Sequence, residues 1–312
     1  MANTEKYSYS KLDTYVQCPF RFKLKYIDGN YIFNNSIATE FGTLIHETEE
    51  TIAKNIINNE PIDYIKLKNN IILKLSELQK KYANNFYELD KSNRTYENKT
   101  YYYLEEGIYK LEQFMRDNPN LEIVGVEQKF NFELWNKLFS GFIDRIFYNK
   151  DEDKYLIQDI KTYAVPVEKE KLVTPLQFVI YNLAAQQMFN CAPEQISCEY
   201  QLPLCDLTQA AGTKGYMKRG TDKLEKILNG ISQQNFEPSP SPLCNWCEFC
   251  ATNPDATKEG KYLCPYFCKW HRDTRNKSDL GKVEYHWEGL DKHQQILESY
   301  QNKLQEEVKK NG

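Results

Sequence analysis

The chain has 312 residues, 41% hydrophobic and 27% charged, which allows two domains or one large domain with additions and excludes disorder of the whole chain. Acidic residues number 44 against 40 basic ones, a net charge of −4, so nucleic-acid binding by overall charge is excluded and any DNA contact must use local basic patches or bound cations. No run of about 18 apolar residues occurs, so no membrane span is expected. The polar start, Met1 to Lys6, lacks the apolar stretch of a secretion signal, so a cytoplasmic location is expected.

Residues 7–27 carry Leu12, Tyr15, Val16, Phe20, Leu24 and Ile27 at helical spacing, with a break expected at Cys18-Pro19. The stripe Ile37, Phe41, Leu44, Ile45, Ile52 and Ile56 predicts a helix over 37–58. Two more helices are expected at about 62–86 and 98–117, separated by the polar segment 89–97. β-branched and aromatic residues over 121–133, 138–149 and 154–162, with short breaks, predict three consecutive strands. A helix at about 171–190, a strand at 196–204 and a helix at about 216–234 follow. The Pro/Ser stretch Glu237 to Pro242 reads as a stiff linker into a cysteine cluster, and 284–309 as a charged surface helix.

Alternate residues of a strand share a face, so Asp159 and Lys161 project on one side, roughly 6–7 Å apart. Asp144 sits among apolar neighbours on the preceding strand, and if the two strands pair, the carboxylates converge. Two carboxylates at one point repel unless a divalent cation lies between them. With Lys161 nearby to orient or deprotonate a water or to stabilise phosphate charge, the set suits phosphodiester hydrolysis. His46, on the helix before the strands, offers an imidazole ligand. Gln177 and Tyr181, four apart on one helix face, could hold a substrate phosphate or base.

Nine cysteines in a chain without a secretion signal do not read as a disulfide framework. Cys244, Cys247, Cys250, Cys264 and Cys268 cluster at metal-binding spacing. A local zinc site of Cys244, Cys247, Cys264 and Cys268 and an iron–sulfur cluster both remain open, with Cys18 as the candidate remote ligand for a cluster. Cys191, Cys198 and Cys205 read as ordinary core residues.

The run Tyr9-Ser10-Lys11-Leu12-Asp13-Thr14-Tyr15-Val16-Gln17-Cys18-Pro19-Phe20-Arg21-Phe22 resembles the opening of RecB/AddB-type nuclease domains of the PD-(D/E)XK superfamily. Gly42-Thr43-Leu44-Ile45-His46, Gly141-Phe142-Ile143-Asp144-Arg145, Asp159-Ile160-Lys161-Thr162 and Gln177 with Tyr181 resemble further motifs of that family, in order, over about residues 7–265. The resemblance implies an α/β, restriction-endonuclease-like core, a central mixed sheet flanked by helices, with an N-terminal helical part and a C-terminal cysteine-rich iron–sulfur module. Residues 1–235 would form the nuclease domain, with a helical insertion at about 60–118 and a core at about 121–205. Residues 236–270 would form a cysteine module closing onto Cys18, and 271–312 a charged helical tail.

By the same resemblance, the protein is a metal-dependent DNA exonuclease. His46, Asp144, Asp159 and the backbone carbonyl of Ile160 would bind Mg²⁺ or Mn²⁺, with Asp144, Asp159 and Lys161 catalytic and Lys161 assisting the attacking water. Gln177 and Tyr181 would position DNA, and Glu127 would reach the site through water. Cys18, Cys244, Cys247 and Cys264 would hold a 4Fe–4S cluster, with Cys250 as the alternative fourth ligand. Cys250 and the long insert Ala251 to Leu263 depart from the family pattern. The substrate implied is DNA with a single-stranded portion or a free end. The setting implied is recombination, repair or phage DNA processing in a bacterial or phage-infected cell, with a recombination, CRISPR or phage protein as partner. No Gly-x-x-x-x-Gly-Lys-Ser/Thr loop is present, so no ATP motor is expected in this chain.

Residues 6–25 carry five basic side chains against one acidic, net +4, and residues 212–229 five against two, net +3. Lys218 and Arg219 lie in the second stretch beside Tyr216, a combination suited to single-stranded DNA. The competing reading is a non-catalytic, zinc- or iron–sulfur-stabilised protein on a nuclease fold that binds DNA or recruits a partner. The intact set of His46, Asp144, Asp159 and Lys161 argues against it.

Overall fold

The computed structural model describes residues 6–32, 36–83, 86–87, 89, 93–239, 241–250, 253, 260, 263–264, 268–270 and 285–287. It divides into two compact units, Met1–Tyr9 with Asn35–Leu224, and Ser10–Asn34 with Glu225–Gly312. The chain opens with β1 (Lys6–Tyr7), α1 (Tyr9–Gln17) and α2 (Pro19–Phe22), which continues into a π-helical turn at Lys23–Ile27. The break between α1 and α2 falls at Cys18-Pro19 as expected, and Cys18 caps α2 by accepting the Arg21 N–H through its sulfur.

In the first unit, α3 (Ile37–Asn58) starts at Ser36, whose hydroxyl accepts the Thr39 N–H at 3.2 Å, and stops at Asn59 in the left-handed conformation, φ 54°. Its apolar stripe is buried: Phe41, Ile45 and Ile52 pack with Ile71, Tyr103, Leu111 and Phe147 in one cluster. Each such side chain contributes about 1.5–3 kcal/mol on burial. That cluster is built with α4 (Tyr64–Lys81), α5 (Tyr96–Glu105) and α6 (Lys110–Asp117). The single helix expected over 98–117 is interrupted after Glu105 by a 3-10 turn, Gly107–Tyr109. A Cβ on Gly107 would lie 2.5 Å from the Pro203 carbonyl oxygen, so the glycine permits a backbone approach that a larger residue would block.

β2 (Leu121–Leu134) and β3 (Lys137–Asn149) form a long antiparallel hairpin. Its turn residues Trp135 and Asn136 both have positive φ, 50° and 56°. β4 (Lys154–Ile160) pairs with β3 from Arg145↔Gln158 to Asn149↔Lys154. The chain then crosses through α7 (Lys169–Val173) and α8 (Leu176–Phe189) to β5 (Ile196–Leu202), parallel to β4. β6 (Leu207–Ala211) turns back antiparallel to β5. β1 runs parallel to β3 at Leu138 and Phe139. Because β2 follows β3 along one edge, β1 and β4 share the other, and Asp144 falls between their two paired stretches.

The sheet is therefore mixed and central, with helices packed against it, as expected. The short β1 and β6 were not expected: two residues, and a Leu-Thr-Gln-Ala-Ala run, carry little strand signal. The helix expected over 171–190 is split at Thr174-Pro175, since proline disfavours helical backbone in the residue before it.

α9 (Tyr216–Ser232) spans the boundary between the units, which falls after Leu224. In the second unit, Tyr15, Phe22 and Phe236 form an aromatic cluster, with Tyr15 edge-on to Phe22 and Phe22 stacked on Phe236. The Tyr15 hydroxyl donates to the Asn235 carbonyl at 2.9 Å. A 3-10 turn, Pro242–Trp246, carries Cys244 and is capped by Cys247. Of the tail expected as a helix over 284–309, only Tyr285–Trp287 is described; it forms β8, paired with β7 (Cys268–Trp270), and the remainder lies outside the described residues. The side chain of Cys268 is likewise outside them.

Candidate metal centre

Three neighbouring elements build the centre. α3 supplies His46, β3 supplies Asp144 and β2 supplies Glu127. Val126 pairs with Arg145 and Gln128 with Ile143, so Glu127 and Asp144 stand opposite each other across the hairpin. The nearest ligand atoms of His46, Glu127 and Asp144 all lie within 4.8 Å of one another. His46 Nδ1 is 3.7 Å from Asp144 Oδ2. Beyond the paired stretch of β3 and β4, the Ile160 N–H donates to the Asp144 side chain, at Oδ2, at 2.7 Å.

Glu127 has φ 43°, a left-handed conformation inside a strand. A Cβ on Gly125 would lie 3.2 Å from the Gln128 Cβ, so residues three apart come to one side and normal alternation is lost at Glu127. Such a conformation costs of order 1–3 kcal/mol for a non-glycine residue and persists where its surroundings impose it.

Asp159 completes the cluster from the other side. It is buried; its Oδ1 accepts from Gln177 Nε2 at 2.7 Å, and its Oδ2 lies 2.7 Å from Lys161 Nζ. Gln177 Nε2 also donates to the Tyr181 hydroxyl at 2.9 Å. Burial pushes both Asp144 and Asp159 up from 3.8 to about 6. Burial pulls Lys161 down, but its pairing with Asp159 outweighs this and holds the ammonium above its ordinary value. Burial lowers His46, favouring the neutral imidazole that binds metals. Burial, with Glu50 second, raises Glu127. These are carboxylates held in a place that disfavours their charge, the condition a divalent cation relieves. Beside them opens a groove of about 450 Å³ lined by Ala38, Gly42, Thr43, His46, Glu50 and Glu127.

The sequence-derived set is thus brought together with two changes of arrangement. The triad with mutual metal-ligand spacing is His46, Glu127 and Asp144, whereas Asp159 is engaged by Gln177 and Lys161. Gln177 and Tyr181, expected to touch DNA, are buried, and the Gln177 amide is turned to Asp159. Lys218 is exposed on α9, while the Arg219 guanidinium donates to Thr174 Oγ1, Thr213 Oγ1 and the Lys214 carbonyl, tying two loops together.

One network was missed in the sequence. Arg145, fully buried, donates to Gln158 and Gln201 through Nη1 at 2.7 and 3.0 Å and pairs with Glu49 through Nη2 at 3.0 Å. Glu49 also accepts from the Tyr103 hydroxyl at 2.7 Å. It lies three residues beyond His46, and Arg145 follows Asp144, so this pair ties the helix bearing one candidate ligand to the strand bearing another. Its sequence signals were the place of Arg145 at the end of the Gly141–Arg145 motif and the spacing of Glu49 from His46.

The second unit holds a separate cavity lined by Cys18, Arg21, Cys244, Cys247, Cys250 and Cys264 among others. Backbone N–H groups of Arg21 and Ser239 donate to the Cys18 sulfur at 3.5 and 3.4 Å, and that of Ser241 to Cys244 at 3.4 Å. Burial pushes the Cys247 thiol up to about 12, partly offset by the Phe249 N–H and Arg21. Cys198 is buried; Cys191 and Cys205 are partly so. Among the described residues, no helix is long and apolar enough to cross a membrane.

No curated protein matches the chain. A solved structure titled "Crystal structure of SSO0001" is 14% identical, covering 69% of this chain and 98% of its own, with a TM-score of 0.30. The family model of the PD-(D/E)XK nuclease superfamily matches residues 6–252. With that match over most of its length, the chain belongs to the PD-(D/E)XK nuclease superfamily, whose members are metal-dependent nucleases.

Proposed function

We propose that the protein is a DNA exonuclease dependent on Mg²⁺ or Mn²⁺, acting on a free end or single-stranded portion in recombination, repair or phage DNA processing. The carrying observation is the convergence of His46, Glu127 and Asp144 within 4.8 Å beside the Asp159–Lys161 pair. The carboxylates suit a hard divalent cation and the one imidazole suits a softer, transition-series ion, a set that fits Mn²⁺ better than Mg²⁺. When bound, the cation supplies Lewis-acid stabilisation of the phosphate and eases ionisation of the attacking water. Glu127, Asp144 and His46 would hold it; Asp159 orients Lys161; Gln177, bonded to Asp159 and Tyr181, fixes that carboxylate. Lys161, held as an ammonium, serves as a cation for the phosphate and the water's lone pair and not as a base.

The test is degradation of end-labelled linear and circular DNA, single- and double-stranded, with Mn²⁺ or Mg²⁺, beside Asp159→Ala. Loss of linear DNA alone, absent in the variant, is expected. Cleavage of circles would replace the exonuclease reading with an endonuclease, and full activity of Asp159→Ala would refute the site.

The second unit's cavity we read as an iron–sulfur site. Thiols from two distant segments share one cavity, and backbone N–H groups aim at two of their sulfurs. Cys18, Cys244 and Cys247, with Cys264 or Cys250, are the proposed ligands. Anaerobic purification should give a brown protein with about four irons per chain; a colourless, zinc-loaded protein would overturn this.

A further inference from the structure

The cysteine cavity is closed by two segments far apart in sequence, one carrying Cys18 and the other Cys244 to Cys264. An ion pair joins them at its wall. Arg21 Nη2 and Nε both donate to Glu248 Oε2, at 2.7 and 2.9 Å, across 227 residues of sequence. Lys25 Nζ stands 3.3 Å from the other carboxylate oxygen, and Arg21 Nη1 donates to Gln17 Oε1 at 3.0 Å. Glu248 is 4% exposed.

An ion pair whose carboxylate is buried is a poor source of net stability, because desolvation offsets much of the attraction. Apolar side chains would hold the two segments together at least as well. What a guanidinium fork adds is a fixed register, since its donors meet a carboxylate in few geometries. The register here is that of the cysteines. Arg21 lies three residues after Cys18 and its N–H donates to the Cys18 sulfur, while Glu248 follows Cys247 directly.

We propose that the Arg21–Glu248 pair is a clamp that sets Cys18 against Cys247, so that the metal centre of this cavity is closed and retained. Both are positioning residues, not ligands. The inference rests on the reading that the cavity holds a metal centre, but the clamp is indifferent to whether that centre is iron–sulfur or zinc.

The test uses the full chain, purified anaerobically, and follows loss of bound iron to a chelator in wild type, Arg21→Gln, Glu248→Gln, the double variant and Arg21→Lys. Each single variant is expected to lose iron about tenfold faster, and the double variant no faster than the worse single, because one broken clamp cannot be broken twice. Arg21→Lys should recover part of the retention through a one-point pair. Circular dichroism and melting curves check folding; the double variant removes both charges of the clamp and leaves only the part-exposed Lys25 ammonium without its carboxylate, so it remains measurable should a single variant fail to fold. Wild-type loss rates in both singles, or a double variant whose effect is the product of the two, would overturn the clamp. Zinc in place of iron would overturn the cluster alone, with the same comparison then read on zinc. A wild type holding neither metal would overturn both.

Discussion

The two candidate metal sites are built by opposite means. The carboxylate centre draws its residues from α3 and a run of adjacent strands, and backbone hydrogen bonds of the sheet set their positions: Glu127 faces Asp144 because the hairpin register puts them there. The cysteine cavity draws on segments hundreds of residues apart, and side chains join those segments, through the Tyr15–Phe22–Phe236 rings and the Arg21–Glu248 pair. A site placed by a ladder tolerates the loss of one side chain without moving the rest, whereas one placed by side chains does not. Substitutions at the first should therefore abolish chemistry and spare the fold; those at the second should cost metal and stability together.

The largest effect expected is at the ladder-built centre. Asp144→Asn and Asp159→Asn should each lower cleavage at least about 10³-fold, the equivalent of several kcal/mol of lost transition-state stabilisation. Their melting temperatures should stay at or above that of wild type. A variant that cleaves normally, or one inactive only because it unfolds, would erase the contrast. Cys18→Ser or Cys247→Ser should instead release bound metal and lower the melting temperature by about 10 °C, read by calorimetry and metal analysis on the same sample. Unchanged melting in both would mean that the cysteine cavity contributes nothing to the fold.

How far each site could be read in advance follows from the same difference. Convergence of Asp144 and Asp159 was readable because strand alternation and a short turn are local signals. The stripe Ile37, Phe41, Leu44, Ile45 and Ile52 placed α3 for the same reason. Direct participation of Glu127 was not readable, because it depends on a hairpin register and a left-handed backbone turn that alternation alone does not reveal. Nor was the engagement of Gln177 with Asp159: i, i+4 spacing shows that Gln177 and Tyr181 share a face, but not whether that face meets solvent or a carboxylate. Cysteine spacing suggested a metal site there, while the Arg21–Glu248 pair has no local pattern at all. Strands of two to five residues, β1 and β6, carry too few side chains to show a period.

Glu49 tests whether the ladder acts alone. It reaches from α3 to Arg145 on β3 with both side chains 1% exposed. Glu49→Ala leaves a buried guanidinium without its countercharge and should cost about 3–5 kcal/mol of stability, measured by denaturant unfolding. The metal concentration for half-maximal cleavage should also rise, since the helix bearing His46 is no longer tied beside Asp144. A large stability loss with an unchanged metal requirement would assign Glu49 to the fold only.

A smaller effect is the pH dependence of the metal-free protein. Asp144 and Asp159 titrate at about 6 when folded, above their ordinary 3.8. The folded state therefore binds protons more readily than the unfolded one. The stability this gives is complete below about pH 4 and is lost as pH rises through 6, at most about 3 kcal/mol for each group. In chelator, wild type should lose melting temperature between pH 5 and 7 relative to Asp159→Asn, and Mn²⁺ should restore it at pH 7. Parallel melting curves for the two proteins over that range would contradict the burial of these carboxylates.

The smallest and most discriminating change is Glu127→Gly. At φ 43° a glycine carries no Cβ penalty, so the substitution relieves backbone strain of order 1–3 kcal/mol. Against this stands the entropy of a glycine within a strand, about 0.5–1 kcal/mol. It also removes a carboxylate whose charge is disfavoured by burial and by Glu50. Metal-free protein should thus gain roughly 1 kcal/mol, while cleavage and metal affinity fall. Glu127→Ala removes the same carboxylate and keeps the strained Cβ, so it should lose activity equally without the gain in stability. If the two variants are equally stable, the strain of the left-handed turn is no larger than the entropic cost of the glycine; if both cleave like wild type, Glu127 is no ligand. Opposite signs for stability and activity at one residue would show that the sheet is distorted at Glu127 to bring its carboxylate to the metal.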